Sequence, residues 1–315
     1  MRNDSDIKIF SGTSSKDFTE RVCRSLDIKQ GECSTLVFSE GNIYVKIKEK
    51  VRGKDVYIVQ TIAMDPNNEF MELLFWIDAC KRSGVNSVTA IIPYFSYAKA
   101  DKKDEPRVSI RARVCADCLE AAGVDRVVTM DLHSPQIQGF FKKPVDHLYA
   151  AKTFCNMIES MGLENYSIVS PDEGFAKNAR YYANHLNVPL VIGNKQRLFH
   201  DERAEILGLM GEVEGRGAVI IDDFSISCGT IVEVAKTLRN MGAKDIYAFV
   251  THGLFSPRGV EAVENSPIKE LYATDTVINP LCEKSEKIKI LSVSGIFAQA
   301  IKIIHEKESL SELFL

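Results

Sequence analysis

Two aspartates, Asp222 and Asp223, follow an apolar run, and a short loop of Ser227, Cys228, Gly229 and Thr230 comes soon after them. A helical pattern then begins. Backbone N–H groups at a helix N-terminus lack internal partners, and the helix dipole favours an anion there. The loop therefore offers N–H and hydroxyl donors to a phosphate, and Gly229 lets the backbone come close. The two carboxylates only accept hydrogen bonds, so they suit the hydroxyls of a sugar carried on that phosphate. The plainer reading is a capped helix beside two solvated acids. Two acids ending so apolar a strand weigh against it.

The elements that must position this group come next. "SVTAIIP", "DRVVTMD", "YSIVSPD", "AVIIDD" and "IYAFVTH" are Val- and Ile-rich runs without polar alternation, the pattern of parallel strands buried on both faces. Helical patterns lie between them. Phe70, Leu73, Leu74 and Ile77 share one face before Gly84; Ile231, Val234, Ala235, Leu238 and Met241 share another before Gly242, a suitable stop. The lone Trp76 reads as packing. A phrase of helix, glycine, polar step and strand recurs in "SGVNSVTAIIP", "AGVDRVVTMD", "MGLENYSIVSPD" and "MGAKDIYAFVTH", two in each half. This predicts two α/β domains of one topology, residues 1–147 and 148–315, with mainly parallel sheets flanked by helices. Ligands on such sheets bind beyond the carboxyl ends of the strands. The stretches found there carry lysines, arginines, a histidine and isolated aspartates, a mixture suited to a magnesium-bound polyphosphate.

Composition narrows the function classes. With 315 residues and a net charge of −4, the chain has no basic excess for an extended nucleic-acid surface. The N-terminal "MRNDSDIKIF" has acids where a signal peptide needs an apolar run. The longest apolar runs are too short to cross a bilayer. Eight cysteines without framework spacing fit a reducing, cytoplasmic setting. Cys115 and Cys118 form a lone CxxC inside a helical pattern, which reads as a helix face and not as a metal or redox site.

The loop at Ser227–Thr230 resembles the phosphoribosyl-pyrophosphate-binding motif of type I phosphoribosyltransferases. "CSTLVFSEGNIYVKI", "PYFSYAKADKK", "DLHSPQIQGFF", "VSPDEG" and "NKQR" occur in the order and spacing of ribose-phosphate diphosphokinases, and the resemblance extends to the tail "SLSELF". It implies two type I phosphoribosyltransferase-like domains, with the tail 300–315 packing back on the first. It also implies transfer of the pyrophosphoryl group of Mg-ATP to the 1-hydroxyl of ribose 5-phosphate. By this resemblance Lys195 and Arg197 are the catalytic pair. Arg197, Asp222, Asp223, Ile226, Ser227, Cys228, Gly229 and Thr230 hold ribose 5-phosphate. Phe38, Glu40, Gly41, Asn42, Lys99, Ala100 and Asp101 hold ATP. His133 and Asp172 serve Mg²⁺. A nucleotide stretch contributed by a neighbouring subunit implies a homo-oligomer, hexamer or dimer. Arg52, Arg82, Ser309, Ser311 and Phe314 fall where the family has a regulatory phosphate site, with Lys50 replacing its first serine.

Several positions depart from the family pattern: Lys99 and Ala100 replace Arg-Gln, Asn42 replaces Glu, Phe175 a glycine, Asn178 an arginine and Ile226 an aspartate. These departures keep open a non-catalytic regulatory homologue that assembles with an active synthetase. Retention of Lys195, Arg197, His133 and Asp172 together argues for the enzyme. A base-using phosphoribosyltransferase would share the phosphate loop but would not need the nucleotide stretches.

Overall fold

Val- and Ile-rich runs pack as strands when both faces are covered, and the chain does this twice. The computed structural model describes residues 6–196 and 205–313; the side chains of residues 195, 196, 205–207 and 312 lie outside that description. Contacts divide the chain into one unit of residues 1–149, 276–278 and 293–315, and another of residues 150–275 and 279–292.

The first unit starts with β1 (Ile7–Ser11) and helix α1 (Lys16–Leu26), followed by an antiparallel hairpin of β2 (Cys33–Val37) and β3 (Ile43–Ile47). Then come β4 (Asp55–Val59), α2 (Pro66–Arg82), β5 (Ser87–Ile92), α3 (Arg111–Ala122), β6 (Arg126–Met130) and β7 (Val145–Leu148). The sheet is all parallel, in the order β1-β4-β5-β6-β7. Every residue of β4 is buried, as expected of a strand covered on both faces. Trp76 is fully buried and stacks on Phe10 at 5.9 Å between ring centroids, which is the packing role predicted for it.

The second unit contains α4 (Ala151–Ser160), β8 (Tyr166–Ser170), α5 (Ala176–His185), β9 (Leu190–Gln196), β10 (Glu205–Met210) and β11 (Gly217–Ser225). It continues with α6 (Gly229–Asn240), β12 (Ile246–Gly253), α7 (Pro257–Glu264), β13 (Ile268–Thr274) and β14 (Ile288–Leu291). Its seven-stranded sheet runs β10-β9-β8-β11-β12-β13-β14, with only β10 antiparallel to its neighbour. The glycines of the recurring phrase, Gly84, Gly123, Gly162 and Gly242, all take positive φ, between 59° and 103°. A helix that stops in the left-handed region turns directly into the next strand, and glycine does this without a Cβ clash.

Three details differ from the sequence pattern. Met241 is 37% exposed, because α6 ends at Asn240 and the residue leaves the apolar face. Strand β11 continues through Asp222 and Asp223 to Ser225, since pairing with β12 still satisfies its backbone there. Strand β9 likewise runs past Gly193 to Gln196, where β10 pairs with it.

The last helix, α8 (Ser294–Glu306), belongs to the first unit. Phe297 meets the edge of Phe18 at 5.4 Å, and Nδ1 of His305 lies 3.1 Å from Oδ2 of Asp55. Oδ1 of Asp55 accepts from Ser87 Oγ at 2.7 Å and from Asn86 Nδ2. One buried carboxylate thus ties β4, the start of β5 and the final helix together. Leaving buried partners unsatisfied is costly, so Asp55→Ala is expected to lower unfolding free energy by about 2–4 kcal/mol. The check is a shift of the urea midpoint with an unchanged slope.

Candidate active site

In the second unit the chemistry gathers where β11 passes into α6. Asp222 and Asp223 are the sixth and seventh residues of a strand whose preceding residues Ala218–Ile221 are buried. Asp222 Oδ1 accepts from the N–H of Asp223 at 3.0 Å, and Asp223 Oδ1 accepts from the N–H of Phe224 at 2.8 Å. Part of Asp222 remains open to solvent, yet its carboxyl is crowded by protein atoms. Burial, followed by repulsion from Asp223 and Asp172, holds its pKa well above the ordinary aspartate value. Asp223 and Asp172 are thus both close enough to act on the Asp222 carboxyl.

The loop after them is shaped for an anion. Cys228 sits in the left-handed region, at φ 57° and ψ 5°, and no side chain caps α6. The first turn holds no acid either. Ser227 Oγ accepts from Gly229 N–H only at a long 3.5 Å. Ser227 and Gly229 are exposed and Thr230 is half-buried, so their donors lie at the surface. Cys228 contributes backbone alone: its thiol is 2% exposed in the core, and burial pushes its pKa up to about 11. Ile226, in place of an acid, is 46% exposed.

A brace behind the loop had no signal in the sequence. Ser256 N–H donates to Ile226 O at 2.8 Å and Leu254 N–H to Ser225 O at 3.0 Å. Ser256 also caps α7, its Oγ accepting from Gly259 N–H at 3.1 Å. A Cβ on Gly259 would stand 2.5 Å from Ile226 O. Glycine there is required by close approach of two backbones, which single-sequence periodicity does not report.

Asp172 lies two residues beyond β8, and its Oδ1 accepts from Phe175 N–H at 3.1 Å at the start of α5. Phe175 has φ −90° and ψ −5°, ordinary helical values, so replacing a glycine there strains nothing. Asn178 is exposed. Lys195 lies on β9 opposite Ile206. Arg197 falls outside the described residues.

The first unit carries the other predicted positions. At the hairpin tip, Phe38 N–H donates to Asn42 O and Gly41 N–H to Phe38 O, both at 2.9 Å. Asn42 Nδ2 donates to Glu40 Oε1 at 3.2 Å. Phe38 is 49% exposed, tilted 53° against Tyr44 at 6.1 Å. The tip so presents an aromatic face, with polar groups beside it, to whatever approaches. Lys99 ends a short helical turn and lies 5.8 Å from the Tyr94 ring centroid. Ala100 is buried, and Asp101 is half-buried.

His133 is exposed after β6, beyond a left-handed Asp131 at φ 38°. Leu132 N–H donates to Nε2 of His147 at 2.8 Å, so His147 on β7 fixes this turn. His147 was not singled out by the sequence, where it reads as one more histidine near a strand. Among the described residues, no three His, Cys, Asp or Glu side chains form a ready metal cage.

Arg52 and Lys50 are exposed, and Gly53 N–H donates to Gly84 O at 2.9 Å, which brings the turn at Arg52 beside the end of α2. Arg82 is already paired with Asp78 Oδ2 at 2.7 Å. Ser309 Oγ and Ser311 Oγ are 2.7 Å apart, and Phe314 lies outside the described residues. Cys115 is buried and Cys118 half-buried, both as free thiols.

Two family models match parts of the chain. Residues 7–123 match the family model described as the N-terminal domain of ribose phosphate pyrophosphokinase. Residues 199–315 match the phosphoribosyl synthetase-associated domain. The ribose-phosphate pyrophosphokinase of Porphyromonas gingivalis is 42% identical over 315 residues, covering 100% of this chain and 99% of the relative. That of Campylobacter jejuni is 42% identical over 308 residues, 98% of this chain and 99% of the relative. The crystal structure of phosphoribosylpyrophosphate synthetase from Mycobacterium smegmatis superposes with a TM-score of 0.90 at 34% identity, covering 96% of this chain and 99% of that one.

The raised pKa of Asp222 has a consequence for stability. Above the ordinary aspartate value of about 4, the unfolded chain ionises this carboxyl freely. The folded chain either keeps the proton or carries a crowded charge. Stability from this group is full below that pH and declines as pH rises towards the folded pKa. Asp222→Asn is expected to raise the Tm of the ligand-free protein at pH 7–8, with the gain vanishing as the pH is lowered to about 4. Thermal scans across that range check it; a gain independent of pH would mean that ionisation is not its source.

Proposed function

The chain belongs to the ribose-phosphate pyrophosphokinase family, and we propose on that premise that it transfers the pyrophosphoryl group of ATP to the 1-hydroxyl of ribose 5-phosphate, giving 5-phosphoribosyl 1-pyrophosphate and AMP. The observation that carries this reading is the β11–α6 junction. A helix whose N-cap residue supplies no side-chain cap starts there, and two aspartates sit on the strand leading to it. Ser227, Gly229 and Thr230, with the Cys228 backbone, receive the 5-phosphate. Asp222 and Asp223 accept from the ribose hydroxyls. Ribose brings the hydrogen-bond donors that crowded carboxylates need.

ATP is held by the Phe38–Asn42 tip and by Lys99–Asp101. The aromatic face of Phe38 suits a flat base. Lys99 in place of arginine supplies a point charge where a planar fork is usual, which favours a phosphate over a second, bidentate contact. The tip serves the ATP site of a neighbouring copy, so the working form is a homo-oligomer, hexamer or dimer. Arg52, Arg82, Ser309, Ser311 and Phe314 form a regulatory site that binds phosphate or sulfate but changes the rate only weakly, because Lys50 replaces a small hydroxyl. The reaction serves nucleotide biosynthesis in the cytoplasm.

Mg²⁺ fits the donor set. It takes oxygen ligands and keeps several waters, and the Asp172 carboxylate lies near enough to Asp222 to raise its pKa, so oxygen donors are close together there. In the second unit Asp172 would serve Mg²⁺; in the first unit His133 would serve Mg²⁺ through water or on phosphate. When bound, it neutralises charge on the polyphosphate. Pyrophosphoryl transfer needs positioning and charge stabilisation above all. Lys195 and Arg197 bring two cations to the transferring group. The anomeric oxygen attacks the β-phosphorus, the bond to the α-phosphate oxygen breaks, and AMP leaves.

The relatives reported above are named for the catalytic activity, so nothing supports the regulatory alternative. Incubation with ATP, ribose 5-phosphate and Mg²⁺ is expected to give AMP and phosphoribosyl pyrophosphate in equal amounts, and only with the metal. ADP as product would replace this reading with ordinary kinase chemistry. Lys195→Ala and Arg197→Ala are each expected to lower kcat by about a hundredfold or more. The two losses should not add, because both cations act on one developing charge. Single-turnover rates of both variants and of the double variant check this.

A further inference from the structure

Glu72 is the most heavily used carboxylate of the first unit, and none of the roles above involves it. It lies on α2, is 2% exposed, and accepts from five donors. Oε1 takes Thr35 Oγ1 at 2.7 Å, Thr13 N–H at 3.2 Å and Trp76 Nε1 at 3.3 Å. Oε2 takes Thr13 Oγ1 at 2.5 Å and Gln60 Nε2 at 2.9 Å. No cation is among these partners. A carboxylate with two accepting oxygens satisfies donors on both sides; an amide, with one accepting oxygen, turns its NH₂ towards half of them.

Each partner comes from a different piece of chain. Gln60 follows β4. Thr13 lies after β1, in a turn held so closely that a Cβ on Gly12 would stand 2.0 Å from Gln60 Oε1. Thr35 lies on β2, paired with Val45. Among the described residues the hairpin pairs with no other strand; Cys33, Val45 and Ile47 pack partly buried on the core, and Cys33 Sγ donates to Ser11 O at 3.9 Å near its base. Its outer part, Leu36, Val37 and Phe38, is exposed. Among the described residues, the Thr35–Glu72 bond is the side-chain hydrogen bond that joins β2 to α2. Phe38 is three residues on, about 10 Å along an extended chain, and the strand carries any tilt at Thr35 out to the tip.

We propose that Glu72 is a positioning residue for nucleotide binding: by fixing Thr35 it sets the angle of the β2–β3 hairpin and hence the place of Phe38. This rests on the reading of the hairpin tip as part of the ATP site. The same carboxylate oxygen accepts from the indole of Trp76, the chain's only tryptophan. Movement of the hairpin is therefore reported by the emission of Trp76, a ring buried far from solvent.

The experiment uses the full oligomer and three variants: Thr35→Val, which keeps shape and removes one bond, Glu72→Gln, and Phe38→Ala as the control for the tip itself. Thr35→Val is expected to raise KM for ATP about fivefold and Glu72→Gln about tenfold or more. KM for ribose 5-phosphate should stay within about twofold. ATP should change Trp76 emission in the wild type, and Thr35→Val should lose most of that change while keeping the wild-type Tm within a few degrees. If Phe38→Ala raises KM for ATP but Thr35→Val and Glu72→Gln do not, the positioning role is wrong and the tip assignment stands. If Phe38→Ala itself leaves KM for ATP untouched, the tip assignment falls and this inference with it. Equal rises in both KM values would mark Glu72 as a general support of the fold. Should Glu72→Gln fail to fold, Thr35→Val alone decides.

Discussion

A parallel sheet covered on both faces can place polar side chains only at the ends of its strands. That constraint organises this protein. In the second unit, β8 and β11 are buried along their runs and then release Asp172, Asp222 and Asp223 at their carboxyl ends. Burial of Asp222, and next the charges of Asp223 and Asp172 beside it, hold its pKa above the ordinary aspartate value. The groups that relieve such crowding, sugar hydroxyls and a divalent cation, are those a pyrophosphoryl transfer to a sugar phosphate brings with it. The start of α6 works in the same direction with opposite sign, because its N-cap residue, Cys228, supplies no side-chain cap and the positive end of the helix dipole favours an anion there. Both features make the ligand-free site less stable than a neutral edge would be, a familiar exchange of stability for function.

How much of this was legible from sequence depends on the range of the interaction. Strands and helices follow local pattern, so the buried runs, the four glycine stops and the packing role of Trp76 were readable. The phosphate loop was readable because consecutive residues supply it. Met241 escaped the pattern since one residue past a helix end no longer shares its face. The braces escaped altogether. Gly259 matters because of a carbonyl at Ile226, His147 because of an amide at Leu132, and Glu72 because of donors at residues 13, 35, 60 and 76. Those meetings are made by the tertiary fold, and nothing in the neighbouring residues announces them. Family resemblance pointed to positions for the nucleotide and the catalytic pair, but carried no sign of the braces beside them.

The departures from the family pattern also gain physical meaning. Phe175 occupies a helical conformation that does not need glycine. Ala100 is buried, so a small apolar residue suits its surroundings. Ile226 leaves an apolar side chain exposed beside the phosphate loop, where it neither repels a dianion nor orders a sugar. Nothing in the structure explains why Asn178 replaces an arginine.

Helix α8 counts with the first unit although it is made almost last. Phe297 covers Phe18, and His305 reaches Asp55 across 250 residues of sequence separation. During synthesis the five strands of that unit's parallel sheet emerge long before this helix does. Their sheet waits with an apolar flank uncovered, while the second unit, which is contiguous but for a short excursion, has all its strands available by residue 291. Vectorial folding usually finishes the N-terminal unit first. Here the chain order runs against that: the unit begun first cannot be completed until α8 is made, after every described strand of the second unit.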